Sequence, residues 1–115
     1  MVTLYGISNC DTIKKAKCWL DNAGIEYRFH DYRKDGLEAD TLNQWANELS
    51  WESLLNKRGI TWRKLPEEEK SAINHDLAIQ LMLTQPAMIK RPLLEYKNQK
   101  ILGFSEQTYT ELFSL

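Results

Sequence analysis

The chain has 115 residues and a net charge of −1, from 15 basic and 16 acidic side chains. This length suits one domain, 1–115, with a hydrophobic core of its own. Acidic and basic residues are interspersed, which argues against binding to nucleic acid or an anionic membrane. No apolar run approaches the ~20 residues of a membrane span and the first residues lack a signal-peptide pattern, so we expect a cytoplasmic, monomeric protein.

The first third of the chain predicts a βαβ unit. Residues 2–6 are apolar and short enough for a buried strand, and 11–23 carry apolar side chains at helical spacing, with Gly24 as the stop signal. Residues 27–32 read as a second strand. A helix between two strands makes those strands parallel, so we expect one sheet with β1 and β2 side by side.

The middle of the chain predicts helices, and the end predicts a hairpin and a last helix. The helices are expected at 39–49, 51–55, 66–85 and 106–113, and the hairpin strands at 93–96 and 101–104. This order matches an α/β thioredoxin-like fold, in which both halves join one four-stranded mixed sheet. The residues from about 38 to 88 would form an inserted helical subdomain.

Cys10 stands between the first strand and the first helix, in the polar context Asn-Cys-Asp. The free N–H groups and positive dipole end of a helix favour a thiolate there, and a thiolate is the nucleophilic form of cysteine. Lys14 and Lys15 add positive charge, and Ser8 and Asn9 offer donors to the sulfur. The alternative is a small buried apolar cysteine, which this polar context does not favour.

Cys18 is the other cysteine of the chain. Eight residues of helix would place it ~12 Å from Cys10 along the axis, whereas a disulfide needs Cα atoms within about 7 Å. Ile13 occupies the place of the second cysteine of a Cys-x-x-Cys motif. We therefore expect an external thiol, either glutathione or a protein thiol, to resolve any intermediate on Cys10. We expect no metal and no bound cofactor, because the histidines lack partners at ligand spacing.

Two arginines are candidate anion-binding residues. Arg91 precedes Pro92 at a predicted strand start, which fits a cis-proline loop of the kind that lies against the reactive sulfur in this fold. There it could hold an anion and keep the thiolate charged; a surface charge beside an ordinary proline remains the alternative. Arg58, in a Lys-Arg-Gly turn, is a second candidate or simply a solvated helix end.

Several segments resemble the arsenate reductase family, which includes the ArsC enzymes and the Spx regulators. They are Leu4–Thr12, Leu54–Gly59, Ile89–Leu94 and Leu102–Glu106. The resemblance implies that Cys10 is the catalytic thiol and that Arg58 and Arg91 match two of the three oxyanion-binding arginines of ArsC. The third falls on Gly103 here, and the paired cysteine of Spx falls on Ile13.

These features predict an enzyme, a glutathione-dependent thiol reductase that acts on a small anionic or disulfide substrate. Its predicted site comprises Cys10 as the nucleophile, Asn9, Lys14, Arg58 and Arg91 as substrate-binding residues, and the loop at Pro92. Two alternatives follow from the same resemblance: an arsenate reductase, and an Spx-like regulator that binds a protein partner.

Overall fold

A computed structural model describes all residues from 1 to 115. The helices and strands follow one another in the chain as β1 (Val2–Gly6), α1 (Asp11–Asn22), β2 (Tyr27–Asp31), α2 (Tyr32–Asp35), α3 (Ala39–Leu49), α4 (Trp51–Leu54), α5 (Ile60–Arg63), α6 (Glu67–Ser71), α7 (His75–Thr84), β3 (Leu93–Tyr96), β4 (Gln99–Leu102) and α8 (Glu106–Leu112). A single 3₁₀ turn, Pro86–Met88, follows α7. None of the helices combines the length and apolarity needed to cross a membrane.

The chain divides into two compact units. The first unit combines Met1–Lys34 with Arg91–Leu115, and the second unit is Asp35–Lys90. The second unit therefore corresponds to the helical segment that the sequence predicts between about 38 and 88.

The first unit contains a four-stranded sheet in the order β2-β1-β3-β4. β1 and β2 are parallel, whereas β3 runs antiparallel to both β1 and β4. This mixed sheet with its βαβ start confirms the predicted thioredoxin-like α/β fold. The parallel pairing follows from the crossover through α1.

The core of the first unit lies between one face of the sheet and the helices α1 and α8. Its fully enclosed members are apolar or aromatic: Val2, Leu4, Ala16, Leu20, Leu94 and Tyr109. Trp19 and Phe104 meet the Tyr109 ring edge-on, at centroid distances of 5.5 and 4.9 Å. Burial of this apolar surface is the main stabilising term, and it anchors α1 so that its N-terminus has a defined position.

The predicted hairpin exists, but its second strand begins earlier than expected. β4 spans Gln99–Leu102 and not 101–104. The turn consists of Lys97 and Asn98, both with positive φ (49° and 65°), which is the geometry of a tight two-residue hairpin. Gln99 and Lys100 were therefore wrongly assigned to the turn.

The second unit differs from the prediction in two places. The single helix expected over 66–85 is wrong, because α6 ends at Ser71 and α7 begins at His75. The Asn74 side chain accepts a hydrogen bond from the Leu77 N–H at 3.0 Å and so caps a new helix. The short helix α5 was not predicted; it carries Trp62, of which only 8% is exposed.

Candidate active site

Cys10 is the N-cap residue of α1, with extended backbone angles (φ −146°, ψ 128°). The chain leaves β1 at Gly6 and, after residues 7–10, enters the helix at Asp11. The thiol is half-buried and not part of a disulfide. The sulfur makes no full capping hydrogen bond to the helix.

Arg91 donates a hydrogen bond from its Nε to the Cys10 sulfur at 3.5 Å. The two residues are 81 positions apart in the chain. They meet because β1 pairs with β3, with Tyr5 opposite Leu93. The last residue of β1 and the first residue of β3 therefore lie at the same end of the sheet. The Arg91–Pro92 peptide bond is cis.

The pKa of Cys10 lies below its ordinary value, although burial alone raises it. The Arg91 hydrogen bond is the largest of the opposing effects, followed by the backbone N–H groups of Ile13 and Thr12 and the charge of Arg91. A donor and a positive charge both favour the thiolate over the thiol. The site thus favours the more nucleophilic form of the cysteine.

Asn9, Lys14 and Ser8 are the residues that the sequence predicts beside the Cys10 sulfur. Asn9 and Lys14 are both exposed. Lys14 reaches Cys10 through its backbone, whose N–H donates to the Cys10 carbonyl at 3.1 Å. Ser8 is exposed as well, and its hydroxyl helps to lower the pKa of the Asp31 carboxyl. The electrostatic effect on the thiol therefore comes from Arg91 and the helix amides.

The other arginine, Arg58, belongs to the second unit. It is exposed in the turn between α4 and α5, and its backbone N–H donates to the Asn56 side chain at 3.1 Å. Gly103 lies in the first unit, where its N–H donates to the carbonyl of Pro92 at 2.8 Å. Gly103 has a φ of 79°, a conformation that strains any other residue.

Cys18 is exposed on α1, and its sulfur accepts a hydrogen bond from the Asn22 amide at 3.7 Å. The side chains of His, Cys, Asp and Glu form no group of three or more that could hold a metal ion. The chemistry at Cys10 rests on a single free thiol with an arginine donor.

Sequence reasoning missed Gly6, the last residue of β1. A Cβ atom at this position would overlap the Cδ1 atom of Ile13 and lie 3.7 Å from the Cβ of Arg91. Gly6 thus allows the first turn of α1 to approach the end of β1. A glycine at the end of a strand just before a polar loop is the only sequence signal for this role.

Gly6→Ala is expected to destabilise the protein by about 1–3 kcal/mol, because the new methyl group overpacks against Ile13, which is fully buried. Ile13→Val removes the overlapping Cδ1 atom and should recover part of that loss in the double variant. Denaturant unfolding of the two single variants and the double variant measures the coupling. Strictly additive losses would show that the Gly6–Ile13 approach is not tight.

The fold and this site define a thioredoxin-like α/β protein whose first helix begins at a cysteine polarised by an arginine. Residues 5–112 match the model of the ArsC family. The chain belongs to the ArsC family, as the sequence segments above predicted.

Three similar proteins cover nearly the whole chain. The YffB protein is 44% identical with a TM-score of 0.90, over 96% of this chain and 97% of that one. An arsenate reductase (ArsC) related protein from Brucella melitensis is 50% identical with a TM-score of 0.82, over 99% and 95%. An uncharacterized protein from Haemophilus influenzae is 41% identical over 114 residues, 99% of this chain and all of that one.

A more distant relative is the global transcriptional regulator Spx of Streptococcus pyogenes. It is 26% identical over 108 residues, which cover 92% of this chain and 80% of the regulator. This chain is thus similar both to an arsenate reductase (ArsC) related protein and to a transcriptional regulator.

Proposed function

We propose that this protein is a glutathione-dependent thiol reductase in which Cys10 is the nucleophile. The observation that carries the proposal is the 3.5 Å hydrogen bond from Arg91 Nε to the Cys10 sulfur, with the lowered pKa that accompanies it. The thiolate is the form that attacks a disulfide, so a lowered pKa increases the reactive fraction of Cys10.

The proposed reaction has two exchange steps. In the first, the Cys10 thiolate attacks the glutathione sulfur of a mixed disulfide, the S–S bond breaks, and the substrate leaves as a thiolate that takes a proton from solvent. In the second, a glutathione thiolate attacks the new Cys10–glutathione disulfide and releases oxidised glutathione and the Cys10 thiolate. The net change is one mixed disulfide and one glutathione converted into one free thiol and one glutathione disulfide.

An external thiol is part of the proposal because Cys18 is badly placed to act as an internal one. It lies two turns further along α1, and eight helical residues correspond to ~12 Å of axial rise. The family resemblance implies Arg58 and Arg91 as anion-binding residues; we assign Arg91, which donates to the Cys10 sulfur, to a carboxylate of glutathione, and the exposed residues Asn9 and Lys14 to further contacts with it. Arginine suits this task because its planar donors match a carboxylate.

Arsenate is the less favoured substrate on the residues of this chain. The third oxyanion-binding arginine of the family corresponds to Gly103, which supplies no cation. Gly103 is adjacent to the loop of Arg91 and Pro92, because its N–H donates to the Pro92 carbonyl. An Spx-like switch lacks its second cysteine, because Ile13 stands in that place and is fully buried.

The test compares two substrates with one preparation of the unmodified protein. With glutathione and glutathione reductase supplied, a glutathione mixed disulfide should be turned over, and arsenate should be reduced no faster than in a blank with the Cys10→Ser variant. A Gly103→Arg variant is a poor comparison, because the positive φ at that position would strain the backbone. Faster turnover of arsenate than of the mixed disulfide would refute the proposed substrate class.

A further inference from the structure

A groove of about 390 Å³ opens between α6 and α7, wholly within the second unit. Concave surfaces that are mostly apolar, with a few polar groups around them, are the usual form of binding sites. We call this surface the α6–α7 groove. Its floor is apolar and its charged rim is acidic, and the residues are Ala72, Ile73, Leu77 and Leu81 for the floor and Glu68 and Glu69 for the rim.

The helix α7 carries apolar side chains on two sides, of which the core uses one. Its buried residues are Ala78, Ile79 and Met82, and the helix contacts α3 and α4. Leu77 and Leu81 are four residues apart, so they lie one above the other on a different side of the helix. Leu77 is 40% exposed. The second apolar side is therefore open to a partner.

The charged side chains that line the α6–α7 groove are both acidic. Glu68 and Glu69 line it, and no lysine or arginine does. Lys70, the one basic residue of α6, pairs with Glu67 at 3.7 Å and donates to the Arg63 carbonyl at 3.2 Å. Negative charge beside an apolar floor favours a positively charged partner and disfavours an anionic membrane or a nucleic acid.

The arrangement of the floor favours a helix as the occupant. Leu77, Leu81 and Thr84 follow one another at the spacing i, i+4 and i+7, so they form a ridge along α7. The Thr84 hydroxyl donates to the carbonyls of Gln80 and Leu81 at 3.0 and 3.1 Å, so it requires no polar group from a partner. Helices pack with the side-chain ridges of one in the grooves of the other. An amphipathic helix laid along α7 would therefore cover this floor with its apolar face.

We propose that the α6–α7 groove binds an amphipathic, basic helix of a partner protein. The apolar face of that helix contacts Leu77 and Leu81, and its lysine or arginine side chains pair with Glu68 and Glu69. The groove is a docking surface and takes no part in chemistry. Cys10 has no role in this inference, which is therefore independent of the proposed reductase activity.

The test titrates the protein into a fluorescently labelled helical peptide that carries a stripe of leucines flanked by lysines, and measures anisotropy. Binding should saturate and should weaken as salt is added, because salt screens exposed charges. The Glu68→Gln/Glu69→Gln variant should bind about fivefold or more weakly, because two surface charge pairs are lost. Leu77→Ser should bind about threefold or more weakly, because apolar contact area is lost.

The matched control is Glu52→Gln/Glu67→Gln. It removes two exposed acids that do not line the groove and changes the net charge by the same amount, so its affinity should equal that of the unmodified protein. A second peptide with glutamate in place of lysine should not bind, and a third with serine in place of leucine should bind about tenfold more weakly or less. Circular dichroism of each variant on heating separates lost binding from lost structure.

Weaker binding in both groove variants, with structure and control affinity retained, supports the proposal. An equal loss in the matched control would mean attraction to net charge alone, and an unchanged affinity in Leu77→Ser would mean that the floor takes no part; either result overturns it. Self-association through Leu77 without peptide binding would make a second copy the occupant and would overturn it as well. Cys10→Ser should bind the peptide normally, so failure of the reductase proposal and failure of this one appear in different assays.

Discussion

Cys10→Ser is expected to abolish turnover of a glutathione mixed disulfide, with a loss on the order of 1,000-fold or more, because a serine hydroxyl stays protonated and cannot form the exchange intermediate. The substitution changes one atom at a half-buried position, so folding should be preserved. The rate of mixed-disulfide turnover is measured with glutathione and glutathione reductase supplied. Mass spectrometry is then applied to protein incubated with oxidised glutathione. Unmodified protein should gain one glutathione on Cys10, and the variant none at that residue.

Cys18→Ser is the matched control in the same assays. Cys18 is exposed and two turns away along α1, so its removal should leave the rate within about twofold of the unmodified protein, as for other exposed substitutions away from a site. Peptide mapping of oxidised protein should find Cys10 joined to glutathione or to a second chain. A Cys10–Cys18 disulfide would contradict both the resolving role of external thiol and the intact first turns of α1.

Arg91→Ala should produce the second large effect. It removes the hydrogen bond and the charge that offset the burial of the thiol, so the pKa of Cys10 should rise toward its ordinary value. The shift should be moderate, since solvent screens a site that is only half-buried. The rates of alkylation and of turnover should therefore fall several-fold on the acidic side of the profile and change little at pH values above the ordinary pKa of a thiol.

Arg91→Lys and Arg28→Ala serve as comparisons for that prediction. Lysine keeps the charge without the planar donors. The inflection of the alkylation rate against pH in Arg91→Lys should therefore lie between those of the unmodified protein and Arg91→Ala. Arg28 is an exposed cation on β2, and its loss should not move the profile. An unchanged inflection in Arg91→Ala would show that the helix amides alone hold the thiolate.

Local sequence signals predicted most of the fold correctly. The apolar run of β1, the helical spacing of α1 and the stop at Gly24 each depend on neighbours within a few residues. Where two local signals competed, the prediction failed: the apolar spacing over 66–85 suggested one helix, but Asn74 caps a second one. The predicted start of β4 was wrong for a similar reason. The turn at Lys97 and Asn98 contains no glycine to mark where the hairpin reverses.

The sequence by itself determined that a cysteine begins the first helix, since a strand, a polar loop and a helix follow directly along the chain. The predicted cis-proline loop already suggested Arg91 as its neighbour, but only the tertiary structure decided that the Nε of Arg91 donates to the sulfur. Arg91 reaches the sulfur through the antiparallel pairing of β1 with β3. This contact joins residues that are 81 positions apart in the chain. Helical and strand periodicity report only on near neighbours, so they carry no information about such pairings.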